Sequence, residues 1–406
     1  VAVVGTAVRS KVSCFMQDVL PVSARDARGA ALATELRRFI TDDALPLWAG
    51  VGRDQRHGGV HERLHLDGTP DLSAAKRLRV QARQIYVYAH ADALGWYPGG
   101  RDVAFDILQF MLAAGRSPDG RPGYVHLLTP EGAVADARRD AYDHMFVLLA
   151  LTWLARASGD SQVEGLVDDT LGLIETLFDD GAGGFVESVP PALPRRQNPH
   201  MHAFEAMLAL HETLAHKVAP PRIARLRELL DRHFLCVETG LLLEHFDEAL
   251  GRLATPEGDV VEPGHMVEWA WLLRRHEAMF GLPRGALASR MLDDGLRFAD
   301  PDTGFLPDEA RRNGDTHRRT RRCWPQTELA KAWLAEADAG RDGAAAAACA
   351  ALARLRDGYL ASPVAGGWID QFDGEGRPIV AHVPASTLYH VFGAVVEADR
   401  VFGPRR

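Results

Sequence analysis

Histidine is the side chain whose ordinary pKa lies closest to neutral pH, so histidines gathered at helix starts are the first place to look for acid–base chemistry. In Glu262-Pro263-Gly264-His265-Met266-Val267-Glu268-Trp269-Ala270-Trp271 a proline–glycine break gives way at once to an apolar run, which predicts His265 in the first turn of a helix. Three-residue spacing puts Glu268 on the same face, with Trp271 near the same stripe. Two readings fit this wall of imidazole, carboxylate and indole: a satisfied core histidine, or a proton-transfer group oriented by its neighbour. Ser386-Thr387-Leu388-Tyr389-His390 follows Pro384 and places His390 as His265 is placed. Its plain alternative is an N-cap by Ser386 with the histidine pointing outward. Two neutral imidazoles facing one cavity suit removal of a proton next to a sugar carbonyl, help that is typically worth ~10²–10⁴ in rate.

Other groups join them. Asn198-Pro199-His200-Met201-His202-Ala203-Phe204-Glu205 holds two histidines two residues apart, which diverge on a helix and so do not chelate as a pair. One of them faces the axis, and Glu205 can orient His202. HExxH spacing is absent, and histidines drawn from separate helices are the remaining route to a metal site. Arg83 lies among Val80, Ala82, Ile85 and Tyr86, where an unpaired charge is costly. It could stabilise an enediolate oxygen, or form a buried ion pair with Glu268 or Glu328, or both. His144, Trp324 and Glu328 sit on further helix starts. The basic run Arg311 to Arg322 reads mainly as a solvated hairpin, with one or two arginines near Trp324 able to hold sugar hydroxyls or an anion. No phosphate loop, GxSxG elbow or zinc ribbon is present, and no cofactor is implied.

Internal repetition supplies the elements that position these groups. Glycine breaks followed by an apolar or aromatic residue fall at 59, 123, 184, 240, 304 and 367, successive differences of 64, 61, 56, 64 and 63 residues. Each lies between two helical patterns: 24–48 then 72–94, 103–114 then 136–156, 162–178 then 199–216, 222–235 then 264–280, 284–298 then 325–337, 344–360 then 384–401. Twelve helices in six hairpins is the count of an all-α (α/α)6 barrel, six inner helices ringed by six outer ones. Short stretches such as Phe185-Val186-Glu187 and Trp368 to Phe372 read as small β-hairpins at the mouth. If the first helix of each pair is outer, the inner-helix N-termini surround that mouth. Several histidines around one axis then favour a site over a satisfied core.

Composition narrows the class. The 406 residues are 47% hydrophobic and 25% charged, ordinary for a globular protein with a large core. A formal charge of −9 argues against non-specific nucleic-acid binding. Four cysteines without CxxC spacing fit a reducing, cytoplasmic setting without structural zinc. No run reaches the ~20 apolar residues of a membrane span. Residues 1–22 read as a disordered leader and 23–406 as a single catalytic barrel domain. A homodimer is left open.

Taken as an ordered set, Val80 to Tyr86, Tyr142-Asp143-His144, Asn198 to His202 with Glu205, Glu262 to His265 with Glu268-Trp269, Trp324-Pro325-Gln326-Thr327-Glu328 and Tyr389-His390 resemble the N-acylglucosamine 2-epimerase superfamily. The resemblance runs from about Ala24 to the end. It implies an (α/α)6 barrel working without metal through a cis-enediol intermediate. His265 and His390 carry over as acid/base residues, Arg83 as enediolate stabiliser and Glu268 as the partner of His265. His202, Asn198, Trp324 and Glu328 carry over as sugar-binding groups, and His144 and Trp271 join them by position. Disaccharide epimerases of this group show a tryptophan pair where this chain has Cys323-Trp324, so one platform is missing. The expected activity is aldose–ketose isomerisation, with D-mannose and D-fructose favoured. Alternatives are a 2-epimerase of N-acylglucosamine and N-acylmannosamine or of cellobiose, a glycoside hydrolase using two carboxylates, and a non-catalytic sugar-binding protein.

Overall fold

The computed structural model describes residues 22–404, with side chains from Ala27 onward, so the reading of residues 1–22 as a leader lies almost wholly outside the described residues. In chain order the α-helices are α1 (Val22–Arg38), α2 (Leu45–Ala49), α3 (Leu78–Ala93), α4 (Gly100–Phe110), α5 (Ala141–Ser158), α6 (Ser161–Phe178), α7 (Asn198–Leu214), α8 (Ala219–Leu229), α9 (Pro263–Met279), α10 (Ala286–Leu296), α11 (Cys323–Asp338), α12 (Ala344–Arg354) and α13 (Leu388–Phe402). A helix surrounded by protein is apolar all round, and a helix at the surface carries one apolar stripe. In α5 every residue from Asp143 to Thr152 is buried, whereas in α6 burial is confined to Val163, Val167, Thr170, Leu171, Ile174 and Phe178. The same contrast separates α3, α5, α7, α9, α11 and α13 from their companions. Those six close a ring, α13 packing back on α3, and α1, α4, α6, α8, α10 and α12 lie outside them. The fold is an (α/α)6 barrel. Among the described residues no helix is long and apolar enough to cross a membrane.

Helix ends differ from the periodicity in a consistent way. The helix expected from Leu72 begins at Leu78, and the one expected from Asp136 begins at Ala141. In both, the residues just before are extended and paired in a ladder. Four outer helices end in a π-turn, at Phe39–Ala44, Met111–Gly115, Leu230–Phe234 and Leu355–Tyr359. The mouth strands include hairpins within a repeat, Leu127–Leu128 with Val134–Asp136 and Glu309–Arg311 with Thr316–Arg318. They also pair across neighbouring repeats, which periodicity did not show: Lys76–Arg77 with Leu127–Leu128, Arg139–Asp140 with Ser188–Val189, Arg195–Arg196 with His245–Phe246. Val260–Val261 with Ala310–Arg311, Arg321–Arg322 with Gln371–Phe372 and His382–Pro384 with Arg63–His65 complete the circle. Short strands beside inner-helix starts lie side by side around the mouth, so the neighbour's edge is within reach as well.

Each glycine break turns through a left-handed residue, as Gly123 does at φ +91°. Four inner helices then reach back and bond the backbone just beyond the break. Gln81 Oε1 accepts from Val60 N at 2.8 Å, and Gln326 Oε1 accepts from Leu306 N at 2.9 Å. In the second and third repeats a histidine does this work. His144 Nε2 accepts from Tyr124 N at 3.0 Å while its Nδ1–H donates to Asp140 O at 2.8 Å. His200 Nε2 accepts from Phe185 N at 2.9 Å. Burial drives the His144 pKa down to about 4, so it stays neutral. His144 is thus a structural histidine rather than a sugar-binding one, and Gly123 is needed beside it because a Cβ there would come within 3.0 Å of its Nε2.

Replacing His144 by alanine removes both bonds and leaves a cavity beside Phe178. We expect a loss of about 2–4 kcal/mol of stability, read as a lower urea midpoint, with the remaining folded protein keeping its ligand affinity.

Candidate active site

The first two turns of the inner helices bring a charged cluster to the axis. Polar side chains there are buried, so each must find a partner. His202, on α7, bonds Glu205 through Nδ1 at 2.9 Å, and Glu205 also accepts a short hydrogen bond from the Tyr389 hydroxyl. His390, on α13, bonds Glu328 Oε1 of α11 through Nδ1 at 2.8 Å. His265, on α9, bonds Glu244 Oε2 through Nδ1 at 2.9 Å. Three histidines therefore share one arrangement, Nδ1–H on a carboxylate, which fixes Nε2 as the nitrogen free to meet a ligand. Among the described residues no protein group bonds any of the three Nε2 atoms.

The His265 partner corrects the sequence expectation. Glu268 shares its helix face at three residues' distance but makes no hydrogen bond at all, both its oxygens being buried and unpartnered. The same spacing closes in His202–Glu205, but here Glu244 in the preceding loop takes His265 Nδ1 instead. Glu244 is fixed in turn by Gln197 Nε2 at 3.0 Å, and Gln197 by Trp269 Nε1 at 2.8 Å. Sequence reasoning missed Glu244, although a signal existed. It stands two residues beyond the loop residue Leu242, as Glu62, His126, Glu187, Asp308 and Asp370 stand beyond Val60, Tyr124, Phe185, Leu306 and Trp368.

The two outer histidines of this group differ in charge. Burial alone would depress the His265 imidazole, but the carboxylates of Glu244 and Glu262 outweigh it and hold the pKa up at about 9. Burial also depresses His390, and there the positive charges of Arg83 and Lys331 push further the same way, well below the ordinary value. At neutral pH one imidazole is protonated and the other is not. Trp324 lies against both, its ring centroid 4.9 Å from that of His265 and 5.7 Å from that of His390. Gly264 makes this possible, since a Cβ there would meet the Trp324 ring at 2.6 Å.

Arg83 has none of the carboxylate partners considered for it. Its guanidinium donates to the Tyr142 hydroxyl at 2.8 Å and lies over the Phe146 ring at 4.1 Å, so a nearly buried positive charge faces the cluster without a counter-ion. Glu268 shows the converse: burial first, then the nearby Glu328 charge, raises its pKa far above the carboxylate range, so it stands as a neutral acid. Asn198 Oδ1 is buried without a partner at the start of α7. Of the basic run, Arg322 reaches Trp324, its guanidinium 5.4 Å from the ring, while Asp308 holds it at 3.1 Å.

Trp271 is not part of this group. It lies a turn farther along α9, beneath Lys331, whose ammonium sits 3.5 Å from the ring centroid. There it lines a cavity of about 450 Å³ that opens at the other end of the barrel with Trp153, His90 and Arg275 and reaches the underside of the cluster at Glu205 and Tyr389. As for metal, ligand atoms of Glu268, Glu328 and His390, and of His202, Glu205 and Glu268, come within 4.8 Å of one another. In both sets the histidine Nδ1 is already bonded to a carboxylate, and Lys331 supplies a cation to Glu328 at 2.6 Å.

Fold and site define an (α/α)6-barrel protein with three carboxylate-bound histidines at the inner-helix starts. The chain belongs to the N-acylglucosamine 2-epimerase family, whose sequence pattern matches residues 58–394. It is 34% identical over 377 residues to a mannose-6-phosphate isomerase of Rhizobium meliloti (strain 1021), covering 90% of this chain and 96% of that protein. It is 28% identical to a D-mannose isomerase of Thermobifida fusca, over 63% of this chain and 64% of that one. Among solved structures, cellobiose 2-epimerase from Spirochaeta thermophila DSM 6192 superposes with a TM-score of 0.83 at 23% identity, covering 94% and 99% of the two chains.

The His265 charge is open to direct measurement. Followed by NMR, its imidazole is expected to lose a proton near pH 9. In Glu244→Gln, where one raising charge is gone, the loss should come at lower pH by roughly one unit or more.

Proposed function

We propose that this protein interconverts an aldose and a ketose, D-mannose and D-fructose or their phosphorylated forms, through a cis-enediol intermediate. The observation that carries the reading is the pair of histidines in opposite protonation states on either side of Trp324, with the unpaired Arg83 facing them. Neutral His390 takes the C2 proton through Nε2, and the C2–H electron pair moves toward C1 as the carbonyl oxygen gains charge. Arg83 meets that charge where it develops. Ring opening precedes this: protonated His265 donates to the ring oxygen as its bond to C1 breaks, and the anomeric hydroxyl gives up a proton in return as the C1 carbonyl forms. His390 then returns its proton at C1, and as the ketose carbonyl forms at C2 the proton of the C2 hydroxyl passes to O1, which ends as the C1 hydroxyl. His202, Asn198 and Trp324 hold the sugar, with the neutral Glu268 acid and Glu328 beside it.

An acid facing a base also suits 2-epimerisation, in which the proton leaves one face of C2 and returns to the other. Isomerisation is preferred because the two relatives above are named as mannose isomerases. Arg79, Arg196 and Arg322, which lie against Tyr142 or Trp324 at the edge of the cluster, are all paired with carboxylates, leaving Arg83 to the reacting oxygen, which favours an uncharged sugar over a phosphorylated one. Glycoside hydrolysis needs two carboxylates free to flank a bond. Here Glu205, Glu244 and Glu328 are each committed to a histidine.

The test is NMR in deuterated water with mannose, mannose 6-phosphate, glucose, N-acetylmannosamine and cellobiose in turn. Deuterium at C2 of recovered mannose together with ketose is the expected result. Exchange with the C2 epimer and no ketose makes the protein an epimerase, and no exchange with any of them overturns the chemistry. His265→Ala and His390→Ala should each lower turnover by about 10²–10⁴ while the proteins stay folded.

A further inference from the structure

Lys331 is 2% exposed, so its ammonium has left water almost completely, and its surroundings must justify that. Its Nζ lies 2.6 Å from Glu328 Oε2, while the other oxygen of the same carboxylate holds His390 Nδ1 at 2.8 Å. Lysine, carboxylate and imidazole thus form one chain across α11 and α13. From beneath, the Trp271 face receives the ammonium. Around it stand Glu205, Glu268 and Glu328, three buried carboxyl groups drawn from α7, α9 and α11.

We propose that Lys331 is a positioning residue of the reaction: it pins Glu328 onto His390 and supplies the counter-charge that lets His390 remain an unprotonated base. The proposal rests on the acid–base reading above. Its logic is electrostatic balance in a poorly solvated space. Take the ammonium away, and the carboxylate on His390 Nδ1 faces no cation of its own. The nearest group able to become positive is then His390 itself, which turns from base to imidazolium. The charged and titratable groups facing His390 are Arg83 on α3, His202 and Glu205 on α7, Glu268 on α9, Glu328 and Lys331 on α11, and Tyr389 on its own helix. Of these, Arg83, Lys331 and His202 oppose its protonation by their charge, in that order, and only Lys331 among them touches its carboxylate. The cavity at the far end of the barrel opens beside Lys331, so a side chain of altered length has room.

The experiment compares the parent with Lys331→Met, which keeps the apolar stem, and Lys331→Arg, which keeps the charge. Histidine resonances of the sugar-free protein are titrated by ¹⁵N NMR, and kcat/KM is followed against pH. In Lys331→Met, His390 should gain its proton at a pH at least one unit higher than in the parent. The acidic limb of kcat/KM should move by the same amount, with kcat at neutral pH down at least ten-fold and KM little changed. Lys331→Arg should restore the limb. An unmoved His390 titration in folded Lys331→Met overturns the proposal, as does an arginine variant as impaired as the methionine one. If Lys331→Met does not fold, Lys331→Gln, which keeps a donor on Glu328 without charge, is read the same way. Failure of both to fold assigns Lys331 to stability alone and also overturns it. Because the titration uses no sugar, a parent without isomerase activity counts against the proposed function and leaves the Lys331 readout standing.

Discussion

A carboxylate buried far from water keeps its charge only when something positive or hydrogen-bonded faces it, and this barrel places Glu205, Glu244 and Glu328 near one axis under that constraint. Each solves it by accepting a histidine Nδ1–H. The solution has a chemical by-product. A carboxylate at Nδ1 fixes the tautomer, so every one of these imidazoles presents Nε2 to a ligand. What the other neighbours contribute then sets them apart: two glutamates around His265 favour its proton, whereas Arg83 and Lys331 around His390 oppose one.

Much of the fold was legible because repetition is a one-dimensional signal. Six glycine breaks at similar spacing were enough to give the helix count and the order of layers. Within the site, His202 with Glu205 was readable because both lie on one helix and helical spacing places them together. The identical spacing of His265 and Glu268 misled. Whether a three-residue pair closes depends on what else competes for the histidine, and the winning competitor, Glu244, comes from another element. Lys331 was passed over although Glu328 lies three residues before it on the same helix; Glu268 and Glu205, which complete its surroundings, come from other elements. His144 was misplaced for a related reason: a histidine at an inner-helix start can face the axis or the loop behind it, and sequence does not distinguish the two.

The repeats also show how chemistry is added to a scaffold. Two or three residues before an inner helix, Lys76, Arg139, Arg195 and Arg321 bind back to the break loop. One residue later, Arg77, Arg196 and Arg322 pair with Glu62, Glu187 and Asp308. In the fourth repeat those two positions are Val261 and Glu262. With no arginine there to take it, the carboxylate equivalent to Glu62 is Glu244, and it is available to His265. A structural ion pair in three repeats is replaced by a histidine–carboxylate pair in one.

The pairing of His382–Pro384 with Arg63–His65 joins the last repeat to the first. Open solenoids built of helical pairs have two terminal units, each held on one side, and these fray before the rest. Here every unit has two neighbours, and no repeat is a weak end. Removing one would break two interfaces and widen the ring at the level where the histidines converge. Such a molecule is expected to gain or lose its structure as a whole, so the site is never presented by a partly folded fragment.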